Sequence, residues 1–265
     1  MRLTEVRTRF RVPALTGAAL LTTGVLLAGS GTTAAADEPA IPACQFAVNP
    51  SPITIMGTNS DDVIFGTPAV DVIDGLAGND RIFGLGDDDV IIGGAGDDLL
   101  FGGAGQDGID AGSGADAVDG GNDGDTIIAG PDADTVNGGS GGDRILGGGG
   151  IDVISGDNED DLICAGTEND IVNAGPGLDT VYGEPGKDTI EGAEDTDQLY
   201  GNEDEDTLTG GDGPDDLFGG PGDDTMLGGN GNDALSGQAG SGDLGDGGPG
   251  LLDVCSPSTE IQVSC

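Results

Sequence analysis

From Gly57 to Gly245 an aliphatic residue or Met returns at every ninth position: Ile64, Ile73, Ile82, Ile91, Leu100 and so on to Leu244. The stretch divides into 21 consecutive nine-residue units without an insertion. With each unit numbered one to nine, positions seven to nine read as a three-residue strand. Residues seven and nine face one way, and the aliphatic eighth faces the other way, inward. Positions one to six are rich in Gly, which tolerates positive φ and close backbone approach, so they read as a turn. A strand and turn repeated at fixed period make a solenoid, in which each repeat packs mainly on its neighbours.

The polar positions are equally periodic. The sixth is Asp in twenty of the 21 units and Gly242 in the last; the first is Gly in 17 units and Ala in four (Ala111, Ala129, Ala165 and Ala174). Units such as Gly93-Gly94-Ala95-Gly96-Asp97-Asp98-Leu99-Leu100-Phe101 and Gly228-Gly229-Asn230-Gly231-Asn232-Asp233-Ala234-Leu235-Ser236 fit the nonapeptide G-G-x-G-x-D-x-U-x. On these residues the chain resembles the RTX calcium-binding nonapeptide-repeat family over residues 57–245. The resemblance implies an all-β fold, a right-handed parallel β-roll (β-solenoid) with two repeats per coil, so that each unit stacks on the second one along. It also implies Ca²⁺ held between stacked turns by turn carbonyls and the sixth-position carboxylates. Those are Asp62, Asp71, Asp80, Asp89, Asp98, Asp107, Asp116, Asp125, Asp134, Asp143, Asp152, Asp161, Asp170, Asp179, Asp188, Asp197, Asp206, Asp215, Asp224 and Asp233. The fourth position departs from Gly at Asp87, Asp123, Asp132, Glu159, Glu168, Asp195 and Asp204, which puts site geometry there in question. Ser60 and Ala69 at that position mark the first two units as weak or capping sites.

Composition supports a hard cation and excludes much else. The 265 residues include 55 Gly, 50 Asp plus Glu and only 7 Lys plus Arg, a net charge of −43, with no His and no Trp. A Ser-His-Asp hydrolase or a His-ligated zinc enzyme lacks an essential residue. Nucleic acid is excluded as a partner, because phosphate must be met by Lys and Arg. Ca²⁺ accepts six to eight oxygens in flexible geometry, whereas Mg²⁺ demands a tighter octahedron. Scattered GxGxxG matches follow from Gly density and lack a strand-turn-helix setting. One aliphatic side chain per nine residues is a thin core against the entropy of ordering, and carboxylate repulsion opposes folding further. The metal-free chain is therefore expected to be largely unfolded.

The segments outside the repeat read as targeting and capping. Arg2, Arg7, Arg9 and Arg11 precede an apolar stretch, Ala14 to Ala28, and Ala34-Ala35-Ala36 offers a cleavage site, so residues 1–36 read as a cleavable signal peptide. Export from a bacterial cell follows, with no membrane span in the mature chain and Arg81, Arg144 and Lys187 as its only cations. Residues 37–56 read as an N-terminal cap with a capping strand at Ile53-Thr54-Ile55-Met56, 57–245 as the roll, and 246–265 as a C-terminal cap closed by a Cys255–Cys265 disulfide. Cys44 and Cys164 either pair, which requires the N-terminal segment to run back along the rod, or stay as thiols or an intermolecular bridge. Six aromatics occupy ninth positions and should stack coil upon coil as Phe65, Phe83 and Phe101 on one face and Tyr182, Tyr200 and Phe218 on the other. Such ladders stabilise neighbouring strands, or dock a partner or a second copy. No region is left to hold a catalytic or pore-forming unit, so the expectation is a non-enzymatic secreted calcium-binding protein. A calcium-dependent adhesin or matrix scaffold is the alternative.

Overall fold

The structure, a computed structural model, describes Cys44, Val48 and residues 54–240, 242–250, 253–256 and 261–264. The expected signal peptide, Ile53 and Cys265 lie outside the described residues. Among the described residues there are 24 strands and no α-helix, from β1 (Ile55–Met56) to β24 (Ile261–Ser264). Odd-numbered strands form one 12-stranded sheet and even-numbered strands another. All pairing is parallel, and within the repeats it joins residues eighteen apart. Ile73 lies opposite Ile91 and Ile91 opposite Ile109 in the odd sheet, as Ile82 does Leu100 and Leu100 does Val118 in the even sheet. The chain is thus a parallel β-solenoid of about 11 turns with two repeats per coil.

The eighth-position side chains from Ile64 to Leu235 meet between the sheets and are at most 8% exposed. They form a single apolar row along the rod, since each coil contributes one side chain per sheet. First-position residues turn inward beside them, and where Ala replaces Gly, at Ala111, Ala129, Ala165 and Ala174, the methyl is fully buried.

The strands are longer than the sequence suggests. A typical one, Leu99–Ala104, has six residues: positions seven to nine and then one to three of the next unit. Leu85 still pairs with Gly103 and Gly86 with Ala104 after the chain has passed its glycine. Gly at positions one and two therefore marks close approach of stacked coils, not loss of pairing. Gly103, at φ +117°, sits on the backbone of Leu85 in the coil before, where an added Cβ would meet the Leu85 carbonyl. The turn proper is confined to positions four to six.

The last unit departs from the count of nine. One extra residue shifts its register, so Asp243 takes the sixth-position role and Leu244 the seventh. Leu244 pairs with Thr225, faces outward and is 38% exposed, while Gly245 lies opposite Met226. Leu244 is accordingly not a core residue. The residues beyond continue both sheets: Val254–Cys255 pairs with Ala234–Ala239, and Ile261–Ser264 with Leu244–Asp246.

At the other end, Ile55 and Met56 pair with Ile73 and Asp74 as the expected capping strand. Cys44 and Cys164 form a disulfide with a Cα–Cα distance of 5.8 Å, closing a sequence separation of 120. Val48 sits 3.2 Å from where a Cβ on Gly108 would lie, at the one seventh position held by glycine. Cys44, Val48 and Thr54 thus meet successively earlier coils of the odd sheet. Cys255 is disulfide-bonded; its expected partner, Cys265, lies outside the described residues.

Candidate metal centre

Each unit ends its turn on the sixth-position Asp, whose side chain points back into the stack. There the backbone N–H of one Asp donates to Oδ1 of the equivalent Asp in the next coil. The relation runs unbroken from Asp62 to Asp253 at 2.7–3.2 Å. This bond fixes the carboxylate plane of each Asp, and the Asp side chains from Asp80 to Asp243 are at most 3% exposed.

The second carboxylate oxygen has no such partner. Oδ2 of every sixth-position Asp from Asp80 to Asp233, and of Asp243, is buried without a hydrogen bond. A buried carboxylate oxygen in that state is costly unless a proton or cation answers it. Burial, aided by the neighbouring carboxylates, drives the sixth-position carboxyls from Asp80 to Asp233 upward against the opposing pull of the backbone N–H donor. Asp125, Asp161 and Asp206 rise to about 8, and Asp107, Asp116, Asp134, Asp170, Asp188 and Asp197 to about 7.

Further oxygens lie beside the orphans in units that begin with Gly. Asp80 Oδ2 and the Gly93 carbonyl oxygen both lie 2.5 Å from the point a Cβ on Gly75 would take, and Asp89 Oδ2 and the Gly102 carbonyl are placed the same way at Gly84. First-position glycine therefore leaves an oxygen-lined notch between one turn and the next. The donors are carboxylate and carbonyl, which suit a hard cation such as Ca²⁺. Among the described residues one group of three potential ligand side chains converges, Cys44, Cys164 and Glu184. Its two sulfurs are joined to each other, so it offers no thiolate.

The expected site residues are not equivalent. Asp62 and Asp71 have their Oδ2 satisfied: Thr58 donates to Asp62 from its N–H at 2.6 Å and Oγ1 at 2.8 Å, and Thr67 to Asp71 at 2.6 and 2.9 Å. These two close the N-terminal end of the ladder. Asp243 and Asp253 join it although the nine-residue count misses them. Each precedes an apolar residue after a Gly-rich turn, which was a usable signal once one or two inserted residues were allowed. The seven acidic fourth positions hold φ from +68° to +82°, in the left-handed region, whereas glycines at that position such as Gly96 and Gly105 stand at +129° and +126°.

Away from the turns, the ninth-position rings stack as their spacing implies. Phe65, Phe83 and Phe101 are 4.9 Å apart by centroid; Tyr182, Tyr200 and Phe218 are 4.8 and 4.9 Å apart. No helix of the described residues is long and apolar enough to cross a membrane.

A parallel β-roll whose turns carry a buried, coil-spanning row of half-satisfied aspartates is a repeat scaffold built for hard cations. The chain belongs to the RTX calcium-binding nonapeptide-repeat family, which it matches in overlapping stretches from 56–91 to 209–244. No curated protein matches the chain.

Proposed function

We propose that this is an exported calcium-binding protein whose roll folds as the turns take up many Ca²⁺ ions. The observation that carries the reading is the set of buried Oδ2 atoms without partners from Asp80 to Asp243. Ca²⁺, when bound, supplies positive charge that buried carboxylates otherwise lack. The chain's part is to aim the oxygens: Oδ1 is pinned by the preceding coil, and in units that begin with Gly, such as those of Asp80 and Asp89, Oδ2 lies at the notch beside the first-position carbonyl of the next coil. Asp80 to Asp233 are the proposed carboxylate ligands among the twenty read from the repeat, with Asp243 added. Asp62 and Asp71 are proposed as caps.

The domain reading proposed with it is a signal peptide over 1–36, a cap over 37–56, the roll over 57–245 and a terminal segment over 246–265. The N-terminal Arg cluster, apolar stretch and Ala34-Ala35-Ala36 support export. A surface scaffold is the second reading, favoured by the two stacked aromatic ladders, of which Phe65 is 59% exposed. Cell fractionation separates the two.

Equilibrium dialysis of the purified mature chain against Ca²⁺ or Mg²⁺, with the metal measured by atomic emission, tests calcium binding. The expected result is more than ten Ca²⁺ per chain, on the order of one per stacked pair of turns, and few Mg²⁺. One or two Ca²⁺ per chain would contradict it.

A further inference from the structure

Three side chains converge on the odd-numbered sheet, away from the turns. The sulfurs of Cys44 and Cys164 and a carboxylate oxygen of Glu184 all lie within 4.8 Å of one another. Cys164 is fully buried and Cys44 nearly so, while Glu184 is half-buried.

Strand geometry brings the group together. Residues two apart along a strand share a face, and Cys164 lies opposite Tyr182, two residues before Glu184. Gly166, eighteen residues before Glu184, has no side chain to stand between the carboxylate and the sulfurs. Cys44 reaches the same place from the N-terminal segment.

Glutamate is costly at this point of the coil. Second positions are Gly in twelve of the 21 units and Glu only here. Glu184 holds φ +69°, a conformation that glycine adopts without strain and glutamate does not. A residue held in strain is a pointer to function. Two sulfurs and a carboxylate also form a ligand set found once among the described residues.

That set differs in kind from the aspartate ladder. Thiolate is a soft donor, and it selects Zn²⁺ over Ca²⁺. In a tetrahedral zinc site with two thiolates and a carboxylate, the ligand atoms stand roughly 3.6–3.8 Å apart. The 4.8 Å that contains all three atoms here leaves room for that arrangement once the sulfurs part.

We propose that reduction converts the Cys44–Cys164 clasp into a zinc site with Glu184 as its third ligand. A dithiol reductant gives the S–S bond two electrons and two protons, which breaks it, and is itself closed to a disulfide. Zn²⁺ then displaces the two thiol protons. It takes both thiolates and the Glu184 carboxylate, with a water in the fourth place. The N-terminal segment is thus tied to the roll by a covalent bond in the oxidised chain and by the metal in the reduced one.

The test is Co²⁺ titration, read by absorption, of the mature chain in saturating Ca²⁺ after reduction with a dithiol and its removal under argon. Thiolate-to-cobalt bands separate this site from the carboxylates of the turns, which give none. The reduced chain should take a single Co²⁺ with the visible bands of tetrahedral cobalt, Zn²⁺ should displace it, and the oxidised chain should show no such bands. Cys164→Ser should abolish the thiolate bands, and Cys255→Ser should leave them. Glu184→Gln should weaken binding by no less than the roughly tenfold that loss of an outer-shell partner costs. Its far-UV circular dichroism in Ca²⁺ should match wild type. Zn²⁺ should also return the calcium midpoint of the reduced wild type towards that of the oxidised chain. Absence of thiolate bands in the reduced chain, bands that survive Cys164→Ser, or an affinity indifferent to Glu184→Gln would each overturn the proposal.

Discussion

Asp125 gives its backbone N–H to Oδ1 of Asp143 at 2.7 Å, while Oδ2 of Asp143 is buried with nothing to answer it. One carboxylate thus has two jobs, holding the coil before it and offering an oxygen to a cation. The two can be separated by mutation. In saturating Ca²⁺, Asp143→Asn should keep the first and weaken the second, lowering the calcium count. Asp143→Ala should lose both and leave the Asp125 N–H unpaired, at a cost of about 1–3 kcal/mol beyond the Asn change. Urea melts in Ca²⁺ should rank wild type above Asn and Asn above Ala. Equal melts for Asn and Ala would show that the Oδ1 bond contributes nothing.

Calcium and protons should compete for the ladder. Carboxyls raised in the roll, to about 8 at Asp125, Asp161 and Asp206, bind protons more tightly folded than unfolded. Their linkage therefore favours the metal-free roll below the ordinary carboxylate range and withdraws that support as pH rises to about 8. Without metal, β-structure should grow on acidification from pH 8 towards pH 4, and with metal the Ca²⁺ midpoint should rise as pH falls. Far-UV circular dichroism at a series of pH values reads both. Metal-free β-content that increases with pH would reverse the sign and contradict the account.

The Cys44–Cys164 bond closes a sequence separation of 120 across the middle of the rod. A loop of that size restricts the unfolded chain by an amount worth at most about 5 kcal/mol. Cys44→Ser with Cys164→Ser should therefore fold only at higher Ca²⁺, as should the wild-type chain in reductant. Val48, packed over Gly108, then loses its covalent anchor. A calcium midpoint identical in both chains would show that the N-terminal segment adds no stability.

Tyr200 lies between Tyr182 and Phe218 in an outward ladder, touching both rings. Tyr200→Ala removes two stacks, each worth about 0.5–1.5 kcal/mol, and should lower the melting temperature in Ca²⁺ without changing sedimentation. A change in association with stability untouched would favour the scaffold reading instead.

Much of this architecture was legible because the stack magnifies a short period. The aliphatic at Ile82 and the Asp at Asp80 return so regularly that coil, core and ladder follow from the nine-residue count and the family pattern. Strand length did not follow. Gly102 and Gly103 signal a turn by composition, yet they are glycine because the neighbouring coils come so close. The end of the roll was hidden for a related reason: one extra residue displaces Asp243 and Leu244, and a strict count misassigns both. The satisfied state of Asp62 and Asp71 depends on Thr58 and Thr67 reaching the carboxylate through the turn, which spacing alone does not reveal.

Folding driven by calcium is the central claim, and far-UV circular dichroism of the mature chain during Ca²⁺ titration from chelator to several millimolar tests it most directly. The account predicts a coil-to-β transition with Ca²⁺ and none with Mg²⁺ over the same range. A spectrum already β-rich in chelator at neutral pH would contradict it, because the buried Oδ2 atoms of Asp80 to Asp243 would then be tolerated without a cation.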